Sequence, residues 1–346
     1  MMIIGCDFHP SWQQVSWMDT ETGETGERKL VQASGDAERF YRQLPAPALI
    51  GMEATGNCHW LVDLLAELGH ELWVGDAAQI RASCVRQQKT DRRDAEHIRI
   101  LLQEGRFPRI WMPSSEVRDL RQLLLHRYKL VIIRARVKNE LQHLCLNQGV
   151  QRKHKLWSQA GQKVLRELPL KLWAARRRED LLALLAMLDQ QIDPLDRAVK
   201  EEAQRDKMAL LLQTQPGVGA VTALAYVLTM GDVSRFQRGK QVASYLGLIP
   251  REHSSGGRQK LGAITKQGNR MLRMLLVEAA QIAVRFDPGL RKEYLHRCHQ
   301  KPKAVAKVAA ARKLAVRLYW MLRTEKPYPD VVRIESSPRV PLVGAS

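Results

Sequence analysis

The chain has 346 residues, with 55 Lys and Arg against 36 Asp and Glu, a formal net charge of +19 and a sequence pI near 10.0. A field of that sign draws phosphate polymers by releasing their counterions, so nucleic acid is the expected partner class, and the length suits two domains with an insert. Five scattered cysteines (Cys6, Cys58, Cys84, Cys145 and Cys298) without a Cys-x-x-Cys pair exclude a disulfide scaffold and a zinc knuckle, and no apolar run is long enough to span a bilayer. The expected location is cytoplasmic, on the nucleoid when bound to DNA.

Residues 2–6 form a short apolar strand ending at Asp7, and Pro10 stops further pairing. Trp12 to Met18, a Thr-Glu-Thr-Gly turn and Lys29 to Gln32 continue it as an antiparallel hairpin. A helix over 36–43 leads to a buried strand, Ala48 to Met52, that closes on Glu53. Helical spacing follows from Trp60 to Leu68, then a strand at 71–74 and a helix from Asp91 to Leu102. Asp91 and Asp94, three residues apart, share one face of that helix. They lie in a basic run with Arg86, Lys89, Arg92 and Arg93, an arrangement suited to a divalent metal meeting a polyanion. The order β-β-β-α-β-α-β-α, with acids at two strand ends and on a late helix, resembles the RNase H fold used by nucleases and integrases.

From Pro113-Ser114-Ser115-Glu116 the pattern turns helical, with Val117, Leu120, Leu124, Val131, Leu141 and Cys145 mostly on one stripe. Leu181, Leu185, Leu188, Ile192, Leu195 and Val199 form a second, coiled-coil-like seam, interrupted at Pro194, where a kink or break is expected. That seam fits either an antiparallel helical bundle or an intermolecular coiled coil. Leu210 to Gln215, Pro216-Gly217-Val218-Gly219 and Thr222 to Val227 read as a helix-hairpin-helix, with Gly217 and Gly219 exposing backbone amides to phosphate. A helix is expected over Phe236 to Leu248.

The next stretch, 249–260, is neither periodic nor apolar. Its Ser-Ser-Gly-Gly reads as a flexible turn. Its setting among Arg251, Arg258, Lys260, Lys266, Arg270 and Arg273 supplies a second reading, a hydroxyl nucleophile among phosphate-binding cations. Gly268-Asn269-Arg270 opens a helix through Ala283, a further basic helix spans 303–323, and 326–346 is expected to be a largely unstructured tail. The resulting domains are 1–112, a helical spacer at 113–205, a C-terminal domain at 206–325, and the tail.

Several motifs carry a resemblance in order: Gly5-Cys6-Asp7 with His9, Met52-Glu53-Ala54-Thr55-Gly56, Lys89-Thr90-Asp91-Arg92-Arg93-Asp94-Ala95 and Pro216-Gly217-Val218-Gly219. They continue with Tyr245-Leu246-Gly247-Leu248-Ile249-Pro250-Arg251, Ser254-Ser255-Gly256, and Lys266-Gln267-Gly268-Asn269 with Leu272-Arg273. Together they resemble the transposases of the insertion sequence 110 family, in the form of its 1111-like subgroup. The resemblance implies a RuvC-like α/β domain, a coiled-coil insert and a mainly α-helical C-terminal transposase domain. It implies an acidic tetrad of Asp7, Glu53, Asp91 and Asp94, and a catalytic serine at Ser255, with Ser254 as the rival one register away. It also implies a homo-oligomer, dimer or tetramer, in which different protomers build one site, and a non-coding bridge RNA. Asn269, beside Lys266 and Arg270, joins the expected nucleic-acid contacts.

Four gathered carboxylates repel one another unless a cation balances them, and Mg²⁺, two per site, is the expected choice. A serine hydroxyl needs activation, and His253 is near enough in sequence to help. The reading is a DNA recombinase that keeps the phosphodiester energy in a phosphoserine link. The alternatives are a Holliday-junction-type nuclease using water and a non-catalytic nucleic-acid-binding protein.

Overall fold

The computed structural model of the chain describes residues 1–84, 90–151, 155–252 and 260–336. They divide into two compact units, Met1–Ser115 and Glu116–Ser346. Among the described residues no helix is long and apolar enough to cross a membrane.

The first unit is a mixed α/β domain. Its strands are β1 (Met2–Phe8), β2 (Trp12–Asp19), β3 (Thr25–Val31), β4 (Leu49–Glu53) and β5 (Glu71–Gly75). Helix α1 (Asp36–Gln43) precedes β4, α2 (His59–Glu67) precedes β5, and α3 (Ala77–Ala82) and α4 (Asp91–Gln103) follow it. The sheet order is β3-β2-β1-β4-β5. Strands β3, β2 and β1 pair antiparallel, while β1, β4 and β5 pair parallel.

Alternation of side chains sorts the strands' residues between two faces. Ile4, Cys6 and Phe8 of β1 and Ile50 and Met52 of β4 join Tyr41 of α1 and Leu61 and Leu65 of α2 in one apolar layer. Ile3 turns the other way, onto Ile98, Leu101 and Leu102 of α4 and Ile80 of α3. On that face Gly5 and Gly51 are paired across β1 and β4. A Cβ on Gly5 would lie 2.1 Å from the Ala95 carbonyl oxygen, and one on Gly51 2.6 Å from Leu102 Cδ1. The missing side chains let α4 lie with its backbone against the sheet. Buried Arg99 locks it there, donating from Nε to Ser16 Oγ at 3.1 Å and from Nη1 to Gln103 Oε1 at 3.2 Å. Helix α3, absent from the sequence reading, is too short for a period to show; Asp76 caps it, accepting from the Ala78 and Gln79 amides.

The second unit is mostly helical: α5 (Ser115–Asn147), which starts one residue before it, α6 (Gln159–Arg166), α7 (Leu172–Arg205), α8 (Lys207–Gln213), α9 (Ala220–Met230) and α10 (Gly239–Tyr245). A two-stranded ribbon of β6 (Pro250–Glu252) and β7 (Leu261–Ile264) precedes α11 (Arg270–Phe286), α12 (Pro288–Gln300), α13 (Lys303–Thr324) and α14 (Tyr328–Ser336). Residues 113–205 and 206–325, divided in the sequence reading, thus fall almost wholly within one compact unit.

Leu185, Leu188 and Ile192 of α7 share an apolar cluster with Leu130, Val137 and Leu141 of α5, so the seam is filled from within its own chain. Ion pairs Arg127–Asp196, Arg134–Asp189 and Arg177–Glu140 run along the pair and set it antiparallel. Of the kink or break expected at Pro194, the break does not occur: helix α7 continues through it. Buried Ile192 and Val199 on either side hold it.

Three further differences have local causes. The helix expected over Phe236 to Leu248 is shorter, because Phe236 is extended and buried and its carbonyl accepts from Tyr319 Oη at 2.7 Å. The aperiodic stretch at 249–260 includes β6, which pairs with β7 as an exposed ribbon whose strands carry no apolar alternation. The expected tail instead begins as α14, docked by buried Val331; residues 337–346 lie outside the described part.

Candidate functional site

Asp7 stands two residues beyond Gly5 on β1, so it faces α4; Glu53 stands two beyond Gly51 on the parallel neighbour and faces the same way. The close approach of α4 at Gly5 carries its first turn, with Asp91 and Asp94, to the end of β1. Thr90 starts that helix as N-cap, its hydroxyl accepting from the Arg93 amide at 3.4 Å. Both acids then sit in the first turn, where the helix dipole favours negative charge.

Asp7 is largely sheltered and Asp91 half exposed. His9 bridges them, with Nε2 3.2 Å from Asp7 Oδ2 and 3.9 Å from Asp91 Oδ1. His9 is held in turn by stacking on Trp12, ring centres 4.1 Å apart. Burial pushes the Asp7 carboxyl above its ordinary value, and the charges of Asp94 and Asp91 add to that, while His9 opposes it. The sequence reading gave His9 no role. The signal was available: residues 7 and 9 are at strand spacing and share a side.

Asp7, His9 and Asp91 each offer a ligand atom, and these atoms lie within 4.8 Å of one another. Two carboxylates and an imidazole at that spacing fit a divalent cation, whose charge would offset the burial and the neighbouring carboxylates that raise Asp7. Asp94 contributes to the same field. Glu53 is directed to Arg81 of α3, Oε1 lying 3.7 Å from Nη2, an exposed pair that is readily exchanged.

The predicted nucleic-acid contacts separate into two groups. Arg93, Arg251, Lys260, Lys266 and Arg270 are exposed, as is Arg92, which pairs with Glu27. Others are used by the fold. Asn269 caps α11, its Oδ1 accepting from the Leu272 amide at 3.1 Å. Arg273 donates to the carbonyls of Leu246 and Gln267. Gly217 has a left-handed φ of 87°, and a Cβ there would meet the Ala279 carbonyl of α11 at 2.5 Å; Gly219 opens α9 with free space beside it. Arg86, Lys89, His253, Ser254, Ser255 and Arg258 lie outside the described residues.

Comparison with known proteins agrees in both units. A family model described as the transposase IS116/IS110/IS902 family matches residues 209–295, and a DEDD transposase model of the IS110 type matches residues 4–149. A probable family 20 transposase of Pseudomonas aeruginosa is 31% identical over 336 residues, covering 94% of this chain and 98% of the relative. The transposase for insertion sequence element IS1111A of Coxiella burnetii is 31% identical over 210 residues, 58% of this chain and 56% of the relative. The pilin gene-inverting protein of Moraxella bovis is 28% identical over 341 residues, 92% of each chain. With acids converging where β1 meets α4, and similarity running through nearly the whole length of the Pseudomonas protein, the chain belongs to the IS110 family of transposases.

Proposed function

We propose that this protein is a DNA recombinase that breaks and rejoins strands through a covalent phosphoserine. The observation that carries the reading is the meeting of Asp7 and Asp91 across the β1–α4 contact, with Asp94 in the same field and Glu53 on the same face. A sheet in the order β3-β2-β1-β4-β5, with acids at the ends of β1 and β4 and on α4, supports a RuvC-like reading of the first unit. Asp7, Glu53, Asp91 and Asp94 would hold the divalent metal, for which we take Mg²⁺, two per site. When bound it supplies charge stabilisation at the phosphate.

The chain's own groups do the rest. Arg92, Arg93, Arg251, Lys260, Lys266 and Arg270 draw the DNA backbone by charge, positioning it without reading sequence. The Ser255 Oγ attacks phosphorus, a Ser–O–P bond forms, the bond to the departing strand's oxygen breaks, and the proton lost by the serine hydroxyl is matched by the one that oxygen takes up. Attack by that or another strand's hydroxyl reverses these changes and frees the serine. The phosphodiester energy is kept, so no nucleotide cofactor is required. A guide RNA and a homo-oligomer, dimer or tetramer, complete the proposal, with action on DNA in the cytoplasm.

The test is to trap the intermediate. Wild-type protein with Mg²⁺ and its element's DNA ends should give a denaturation-resistant protein–DNA adduct that EDTA prevents and fresh Mg²⁺ restores. Ser255→Ala should lose the adduct, and Asp7→Ala should lose it while still retarding DNA in a gel. Free DNA ends without adduct would instead identify water as the nucleophile; an adduct persisting in Ser255→Ala would move the role to Ser254.

A further inference from the structure

A pocket of about 280 Å³ opens within the second unit between α5, the last turn of α9, α10 and the start of α11. Its walls are apolar, formed chiefly by Leu124, Leu228 and Met271. One edge is polar. There Asn269 Nδ2 donates to Thr229 Oγ1 at 3.3 Å, and Arg121 donates to the Leu228 carbonyl at the end of α9. Tyr245, 37% exposed, lines the pocket, and the Arg235 guanidinium lies 4.7 Å from its ring centre.

The pocket sits at the root of the β6–β7 ribbon. The Lys266 amide donates to the Gly247 carbonyl at 3.2 Å and that of Thr265 to Ile249 at 2.8 Å, tying the ribbon's two ends together. Gly268, part of the pocket lining, presses on the Tyr245 carbonyl so closely that a Cβ would lie 2.2 Å from it. The ribbon and the pocket therefore share one foundation, although the residues between the strands, 253–259, lie outside the described part.

Apolar walls, an exposed aromatic ring and one hydrogen-bonding edge are what an unpaired base requires: a face to stack on and partners for its polar rim. The volume is just under the roughly 300–1,000 Å³ of sites for drug-sized ligands, which suits one heterocycle with its sugar and phosphate left outside. Exposed Arg270 and Lys266 lie within two residues of the pocket residues Asn269 and Gly268 and bring positive charge for that phosphate to the same stretch of chain. An apolar peptide side chain would gain nothing from the amide and hydroxyl edge, and a bare phosphate would gain nothing from Leu124, Leu228 and Met271.

We propose that this pocket takes a single unpaired base of the DNA, extruded beside the β6–β7 ribbon while strands are exchanged. Its place in the reaction rests on the recombinase reading above; its binding chemistry does not.

The experiment scans 5-iodo-deoxyuridine through the element's DNA ends, irradiates the complex with the full-length protein, and maps the crosslinked residue by mass spectrometry. Crosslinking to Tyr245 or Met271 from one position, or two adjacent ones, is expected. Leu125→Trp, which fills the pocket from its half-exposed rim, should reduce that crosslink by roughly tenfold per DNA bound. Should that variant fail to fold by circular dichroism, Tyr245→Leu is read at Met271 in the same way. Crosslinks confined to exposed Lys and Arg, or an undiminished pocket crosslink in the filled variant, overturn the proposal. So does a pocket crosslink seen only with the RNA version of the oligonucleotide. The adduct assay on the same DNA separates the two readings: adduct without pocket crosslink removes the pocket alone, whereas pocket crosslink without adduct supports the pocket and removes the phosphoserine chemistry.

Discussion

At Asp7 the local structure sets a carboxylate against burial and against Asp91 and Asp94, with His9 as the compensating neighbour. His9 also orients Asp7 from its stack on Trp12. Removing it with His9→Ala should weaken metal binding and raise the Mg²⁺ midpoint of adduct formation by roughly 10–100-fold, the usual cost of losing a group that orients or supplies a ligand. A Mg²⁺ titration of the adduct yield checks this, and an unchanged midpoint would mean His9 is a bystander. Gly5 acts through space rather than charge. Gly5→Ala places a methyl against the backbone of α4 and should cost about 1–3 kcal/mol, seen as a fall of several degrees in melting temperature. Gly56→Ala, with open space around its Cβ position, is the matched control and should change little. Both Asp7 and Asp91 were legible as acids at element ends. The glycines were not legible as a docking groove, because their pairing across β1 and β4 exists only in the sheet.

Among the elements, α7 shows tertiary packing overriding local propensity. Pro194 lacks an amide proton and is costly in a helix interior, yet the helix runs from Leu172 to Arg205 because its apolar stripe is buried on both sides of the proline. Pro194→Ala should therefore be tolerated and stabilise the second unit, by up to about 3 kcal/mol, measured by urea unfolding. A loss of stability would show that the proline's local geometry is required. The partly exposed ion pairs along α5 and α7 set direction more than strength. Reversing one in Arg134→Asp/Asp189→Arg should restore most of what either single change loses, within about 1 kcal/mol. The stripe was readable from leucine spacing. Its partner was not, since the same seam serves an intrachain pair or two chains equally well.

For the second unit as a whole, one buried cluster joins distant parts of the chain. Asp287, 1% exposed, caps α12 through the Leu290 amide at 2.7 Å, pairs with Arg317 of α13, itself 2% exposed, and accepts from Tyr328 Oη of α14 at 3.0 Å. Burial by itself pushes the Asp287 carboxyl up, but the Leu290 amide, Arg317 and Tyr328 outweigh it and hold the group below the ordinary aspartate range. A carboxyl held low in the folded state contributes its stability above the unfolded value of about 3.9 and loses it as pH falls through the lower folded value. The acid limb of the melting curve should therefore steepen below about pH 4, and Asp287→Asn should flatten it. At neutral pH the same change leaves Arg317 buried without its counter-charge and should cost roughly 3–5 kcal/mol. Identical acid limbs in the two proteins would sink this account.

The sequence by itself determined the partner class, the first unit's strands, three of its four helices, the short α3 being the exception, and the long helices α5, α7, α11 and α13, because charge, alternation and helical period are local quantities. It also marked the acids. Tertiary structure decided which acids meet, since Asp7 and Asp91 are brought together only by α4 lying on the glycines of β1 and β4. It likewise gave Asn269, Arg273 and Gly217 contacts within the fold, and brought α14 back onto Asp287 rather than letting it trail away. Those outcomes depend on contacts between residues distant in the chain, and no window of sequence contains both partners.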